Sequence, residues 1–486
     1  MTQFDERNIS MMMDFYEMTM ANGYFVSGGE NTRVAFDVFY RRNPDSGGFA
    51  IFAGLEQIIE YVENMNFSAS DVEYFRAQNI FSEDFLNYLA NFHFHGDIYA
   101  FPEGTIMYPN EPFLTVVADL IDAQLVETAI LSQVNHQSLI ATKASRIVRS
   151  AEGRFVSDFG ARRAHNMDAA IYGARAAFIG GVNGTATVSA GKMFGIPVNG
   201  TMAHSWVMYF GDEYEAFKRY AEIYPNSAVF LVDTYDVIHS GVPNAIRVAK
   251  EVLEPAGNRL KGVRIDSGDL AYLSKRVRKM LDEAGLTDCK IVVSNSLDEF
   301  TITSLLKQDA QINSFGVGER LITAKSEPVF GAVYKLVAVS NGDKFEPRIK
   351  ISENIEKITN PGLKQVYRIY DDSGQAVADL IAMADENIDL STPLRYIDPV
   401  KSWKQRTFAN CTAKKLLKLY VKDGRRVEQL PTLQEIHDYV RHQLANEIWQ
   451  EEQRFENPHH HYLDMTPNYY EMKMNLMYNT RALMSK

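Results

Sequence analysis

The chain has 486 residues, 46% of them hydrophobic and 23% charged, which is too long for one ordinary core and fits a soluble globular protein of two domains. Its net charge of −12 argues against nucleic acid as a partner, so an anionic substrate would need a local basic pocket. Two cysteines, Cys289 and Cys411, are too few for a disulfide framework or a cysteine metal site.

The opening MTQFDERNIS has no basic-then-apolar leader, and no run of about 18 apolar residues follows, so a cytoplasmic protein without a membrane partner is expected. Asp14 to Tyr24 has helical spacing, Val34 to Tyr40 alternates like a strand, and Leu55 to Met65 reads as a helix. Strand-like pieces at 96–100 and 113–117 complete a mixed, largely antiparallel stretch over residues 1–120. From Leu120 the texture changes. Helices are expected at 120–135 and 137–150, then short apolar strands near 155–158, 178–182, 196–199, 228–233, 262–266, 290–294, 312–317 and 332–339, with helical runs between. That alternation is the pattern of βα units on a parallel sheet, and close to eight of them suggests a closed barrel, with a doubly wound sheet as the other option. After Val339 the sequence reverts to turn-rich strands and ends in polar helices. The fold class expected is α/β: an irregular α/β barrel over 121–340, with a second α+β domain built from 1–120 and 341–486.

In either sheet form, ligands sit at the carboxyl ends of the strands, where Asp158, His204, Asp233, Asp266, Ser294 and Gly316 fall. His204 stands in GIPVNGTMAHSWV, an apolar run followed by a glycine turn and small residues that allow close backbone approach. A buried, satisfied histidine is the plainer reading of one imidazole, and a reactive one the sharper. Ser157 to His165 (SDFGARRAH) brings Arg162 and Arg163 to a strand-to-helix corner, where a guanidinium could grip a carboxylate or phosphate, or simply be solvated. Gly180 to Thr187 is a glycine-rich turn suited to anions but lacks P-loop spacing. Arg264 and Asp266 share one strand face in VRIDSGD, so a cation and a carboxylate enter side by side, as an anion and ribose or metal site or as a structural ion pair. Ser294-Asn295 and Gly316 with Gly318 end neighbouring late strands, where phosphate-binding backbone often lies. His459-His460-His461 reads as a solvated run near a proline turn rather than a metal site.

Together these residues resemble the nicotinate phosphoribosyltransferases, through DFYEMTMANGYF, GGFAIFAGLE, DFGARRAH, GTATVSAGKMFGIPVNGTMAHSW, LVDTYDV, VRIDSGDL, VVSNSLDE and VFGAVYKLV in order along nearly the whole chain. LVDTYDV also faintly resembles the diphosphosugar signature of the open-sheet phosphoribosyltransferases, but Asp233 and Asp236 are three apart rather than adjacent. The resemblance implies the type II phosphoribosyltransferase fold and a homodimer with shared sites. It implies conversion of nicotinate and phosphoribosyl diphosphate to nicotinate mononucleotide and diphosphate, with Mg²⁺ on the diphosphate and ATP as co-substrate. By the same resemblance, His204 is the transiently phosphorylated histidine. Phe159 and the partner subunit's Tyr16 sandwich the pyridine ring, Arg162 and Arg264 lie near its carboxylate, and Asp266 lies near the ribose and ring nitrogen. Thr185 and Ser294 join the substrate contacts, and Asn295, Gly316 and Gly318 hold the 5′-phosphate. The metal ligands are not readable. Two rival readings remain. A phosphosugar-binding barrel enzyme would need a barrel lysine, for which Lys192 is the nearby candidate. A nicotinamide phosphoribosyltransferase would, by resemblance, carry an aspartate where Ala186 stands.

Overall fold

The computed structural model describes residues 8–342, 344–354, 357–388 and 393–484. They pack as two compact units, one of Ile140–Pro328 and the other of the residues up to Leu139 with those from Val329 onward. These divisions lie some way from the expected 120/121 and 340/341. Leu120 opens a short helix, Leu120–Leu125, and the helix Glu127–Ser150 carries the chain into the second unit.

In the 140–328 unit, short apolar strands form a parallel sheet in the order Gly184–Thr185, Phe155–Asp158, Ser314–Val317, Lys290–Ser294, Gly262–Ile265, Val229–Leu231. Val198 adds a parallel bridge to Thr185 at the outer edge. Read across the sheet, the segments follow chain order around a circle, the first strand pairing with the last. That is the order of a barrel, and the fold is an irregular α/β barrel with one open seam: among the described residues no ladder joins Val198 to Val229–Leu231. Helices between the strands cover the outside. Leu270–Glu283, for example, buries Leu270, Ala271, Ser274, Val277 and Leu281, a spacing of three and four that lays one stripe on the sheet. Several helices start with an Asx cap: Asn166, Asp212, Asp269 and Asp298 each accept a backbone N–H from three residues on. Three of these caps, Asn166, Asp269 and Asp298, end loops that leave strands and so help build the face on which the strand-end residues stand.

Two expected barrel strands are something else. Residues 178–182 finish the helix Met167–Ile179 and turn through Gly180-Gly181. A short apolar run cannot by itself be told from a buried helix end. Glycine is required at 180, because a Cβ there would lie 2.2 Å from the Ala141 carbonyl oxygen. Val333–Asn341 pairs antiparallel with Arg33–Phe39 in the other unit. Its partly buried pattern is that of an antiparallel strand with one covered face rather than a barrel strand.

In that other unit, a seven-stranded sheet interleaves the two ends of the chain, with Arg33–Phe39 lying between Leu114–Asp119 and Val333–Asn341. A six-stranded sheet centres on Lys364–Tyr370, Ala376–Met383 and Leu463–Met465. Of the turn-rich strand sequence expected after Val339, residues 348–352 form no strand. The histidine run is not solvated as a whole. His460 is exposed, but the His461 ring is enclosed, stacked on Tyr108 at 3.8 Å and 2.9 Å from a Glu452 oxygen. Behind it Arg368 makes a two-pronged ion pair with Asp379 at 2.9 and 2.6 Å. A charge run near a turn gave no sign of this, because the partners come from distant segments. Among the described residues no helix is long and apolar enough to cross a membrane.

Candidate active site

The strand ends of the barrel gather most of the residues singled out in the sequence. His204 is the first residue of the helix His204–Phe210, and its Nε2 lies 3.2 Å from Asp233 Oδ1. The imidazole is partly open at 39% exposure while the Asp233 side chain is 1% exposed, so one face of the ring is anchored and another is accessible. The other Asp233 oxygen accepts the Asp266 N–H at 3.0 Å and the Ser267 hydroxyl at 2.6 Å. Asp266 Oδ1 in turn accepts from the Ser294 hydroxyl. A continuous hydrogen-bonded line thus runs from His204 across three strand ends to Ser294.

Arg264 and Asp266 do share a strand face, but Arg264 turns its Nη1 to the Thr201 hydroxyl. Its Nε is buried with no hydrogen-bond partner among the described residues. Burial holds this guanidinium below its ordinary range, the Asp266 and Asp233 carboxylates oppose that, and the charge of Arg162 reinforces it. Arg162 itself is exposed on the turn Ala161–Arg163. Two cations that repel one another, one of them short of a hydrogen-bond acceptor, make a site that a bound carboxylate would relieve.

Phe159 is half-buried, and its N–H donates to the Val317 carbonyl at 2.7 Å. Its ring rests on Gly316, where a Cβ would sit 2.5 Å from the ring. A Cβ on Gly318 would come within 3.1 Å of the Phe159 carbonyl oxygen. Asn295 and Ser296, directly after their strand, take φ of 96° and 48°. Two successive non-glycine residues with positive φ are strained backbone of the kind concentrated at ligand sites.

Thr185, expected among the substrate contacts, is held in place by its surroundings. It is fully buried. Its hydroxyl donates to Asp158 Oδ2 at 2.8 Å and accepts the Thr187 N–H at 3.0 Å. The hydroxyl's proton is thus spent inside the protein, on Asp158 at the neighbouring strand end. Tyr16 belongs to the other unit, on the helix Phe15–Val26, at 43% exposure. Lys192 stands exposed on the outer helix Val188–Phe194, not inside the barrel where a lysine-dependent aldolase needs it. Among the residues that sequence reasoning left without a role are Asp233 and Thr201. The first was visible as a strand-end acid; nothing in the spacing linked either to His204 or Arg264.

No three metal-ligating side chains converge among the described residues. Asp266 has one oxygen not engaged by Ser294, which fits a hydrated Mg²⁺ arriving with a diphosphate better than a resident metal.

Residues 155–385 match the nicotinate phosphoribosyltransferase (NAPRTase) family, residues 11–135 its N-terminal domain and residues 363–473 its C-terminal domain. The chain is 45% identical over 482 residues to the nicotinate phosphoribosyltransferase of Bacillus subtilis (strain 168), covering 99% of this chain and 97% of that one. It is 36% identical to the nicotinate phosphoribosyltransferase of Caenorhabditis elegans, covering 92% and 90%. A crystal structure of human nicotinic acid phosphoribosyltransferase superposes with a TM-score of 0.84 at 27% identity, over 96% of this chain and 99% of that one.

Proposed function

Because the chain belongs to the nicotinate phosphoribosyltransferase family and so transfers a phosphoribosyl group to nicotinate, we propose that the strand-end face of its barrel is the catalytic site and that His204 couples the transfer to ATP. The observation that carries the coupling is the anchored, half-open imidazole. With Nε2 on Asp233, Nδ1 is the nitrogen left to accept a phosphoryl group.

Phosphoribosyl transfer forms the bond from the pyridine nitrogen to C1′ and breaks the bond from C1′ to the diphosphate oxygen. The transition state is oxocarbenium-like, so the site must hold a weak nucleophile in line and stabilise a leaving anion. In this assignment Arg162 and Arg264 hold the nicotinate carboxylate and Phe159 supports one ring face. Asp266 faces the cationic ribose and ring nitrogen. The turn at Ser294-Asn295 and the backbone at Gly316 and Gly318 receive the 5′-phosphate. Mg²⁺ bound with the diphosphate, next to Asp266, would neutralise the leaving group. Family membership further supports a cytoplasmic homodimer in which the partner subunit's Tyr16 closes the second ring face.

The test is a product assay with nicotinate, phosphoribosyl diphosphate and Mg²⁺, with and without ATP, alongside trapping of acid-labile phosphate on the protein. His204→Ala is expected to lose the ATP-derived phosphate and all ATP stimulation while retaining slow transfer. Labelled phosphate on the variant, or stimulation equal to wild type, rules the assignment out.

A further inference from the structure

The carboxylate of Asp158 has no place in the assignment above, yet it touches both loops on which the ring site depends. Its side chain is fully buried. Oδ1 accepts the Gly160 N–H at 2.8 Å, and Oδ2 accepts the Thr185 hydroxyl at 2.8 Å. Its main-chain oxygen accepts the Ala186 N–H at 2.8 Å. No cation is paired with it among the described residues, and burial pushes its carboxyl above the usual range against the pull of the two hydrogen bonds.

An unpaired buried carboxylate is costly, and a turn alone does not call for one, since asparagine can make the same bond to the Gly160 N–H. The second oxygen accounts for the residue. Thr185 Oγ1 already accepts from Thr187, so its own proton must go to an acceptor. The Gly160 N–H needs another. A short side chain with an acceptor on each arm is a carboxylate, whereas asparagine presents one acceptor and one donor.

We propose that Asp158 is a positioning residue for the nicotinate pocket, fixing through Gly160 the turn that presents Phe159 and Arg162, and through Thr185 the turn that presents Ala186. The inference rests on placing nicotinate at these residues. The pocket has little slack to absorb a shift, because the Phe159 ring is already pressed against Gly316.

Steady-state kinetics of Asp158→Asn and Thr185→Val test it. In each variant KM for nicotinate is expected to rise about tenfold while KM for phosphoribosyl diphosphate stays within about twofold. The double variant should be no worse than the poorer single one, since both changes break one relay. Thr185→Ser, which keeps the hydroxyl, should recover most of the loss, and the two Thr185 variants decide the matter if Asp158→Asn does not fold. The proposal is overturned if melting temperature falls while nicotinate KM is unmoved, or if both KM values rise together. A wrong placement of nicotinate would show differently: Arg162→Ala would leave nicotinate KM unchanged in an active enzyme.

Discussion

Position 186 carries a methyl group, exposed and directly after the buried Thr185. A carboxylate there would face that of nicotinate across the pocket proposed here. Two like charges about 4 Å apart cost roughly 1 kcal/mol in water and about 4 kcal/mol at an effective dielectric near 20. Ala186→Asp is therefore expected to lower kcat/KM for nicotinate by about fivefold to nearly a thousandfold, with far less change for nicotinamide. An unmoved ratio of the two substrates' kcat/KM would remove Ala186 from the account of specificity. At this scale the sequence shows which residues end strands, and so brought His204, Arg264, Asp266 and Ser294 to attention. It does not show how their hydrogen bonds are spent. Thr185 was named a substrate contact by resemblance alone, and its bonds to Asp158 and Thr187 appear only in the fold. Asp233 stands 29 residues from His204, and only folding makes them partners.

For the strands, the barrel was readable wherever an apolar run ended in a polar residue, as at 155–158, 262–265 and 290–294. It was misread where another element shares that signature. Residues 178–182 are a buried helix end, and 333–341 is a strand whose one covered face assigns it to the antiparallel sheet. Glycines in strands carried a further signal, since Gly316 is where two elements touch most closely. Gly316→Ala would drive a methyl group into the Phe159 ring, 2.5 Å from the Cβ position, which real contacts do not allow. Overpacking of this kind costs about 1–3 kcal/mol. The ring is the movable part, so the expected result is a fall in melting temperature together with a raised KM for nicotinate. Full nicotinate affinity in the folded variant would show that the ring position does not matter.

Across the molecule, the shared site is the largest consequence of the proposed dimer. Mixing inactive Tyr16→Ala with inactive Arg264→Ala should restore part of the activity, because one site in each mixed dimer regains both residues. No rescue after verified subunit exchange would count against a shared site. Stability has its own large-scale element in the buried charges around His461. Burial alone would depress that imidazole, but Asp379 and Glu452 outweigh it and hold it above the ordinary 6.5. A group raised on folding stabilises fully below its unfolded value and loses that contribution as pH climbs through the folded one. His461→Gln should thus cost about 3 kcal/mol below pH 6.5, as for other broken buried pairs. The gap from wild type should shrink on the alkaline side. A gap that widens with pH would reverse the sign assigned to His461. Nothing in the sequence announced this network, since its members come from five separate stretches between Tyr108 and His461.

The open seam of the barrel has a mechanical meaning. Asn199 is tied by its N–H to the Thr185 carbonyl, and the helix begins at His204. Between them, no amide of residues 200–203 donates to a backbone carbonyl among the described residues. No rung of the sheet therefore involves that stretch, and it carries both Thr201, bonded to Arg264, and the histidine at its far end. In the proposed function, a phosphoryl group on His204 would thus sit at the end of the same short segment that supplies Thr201, the hydrogen-bond partner of the guanidinium assigned to nicotinate.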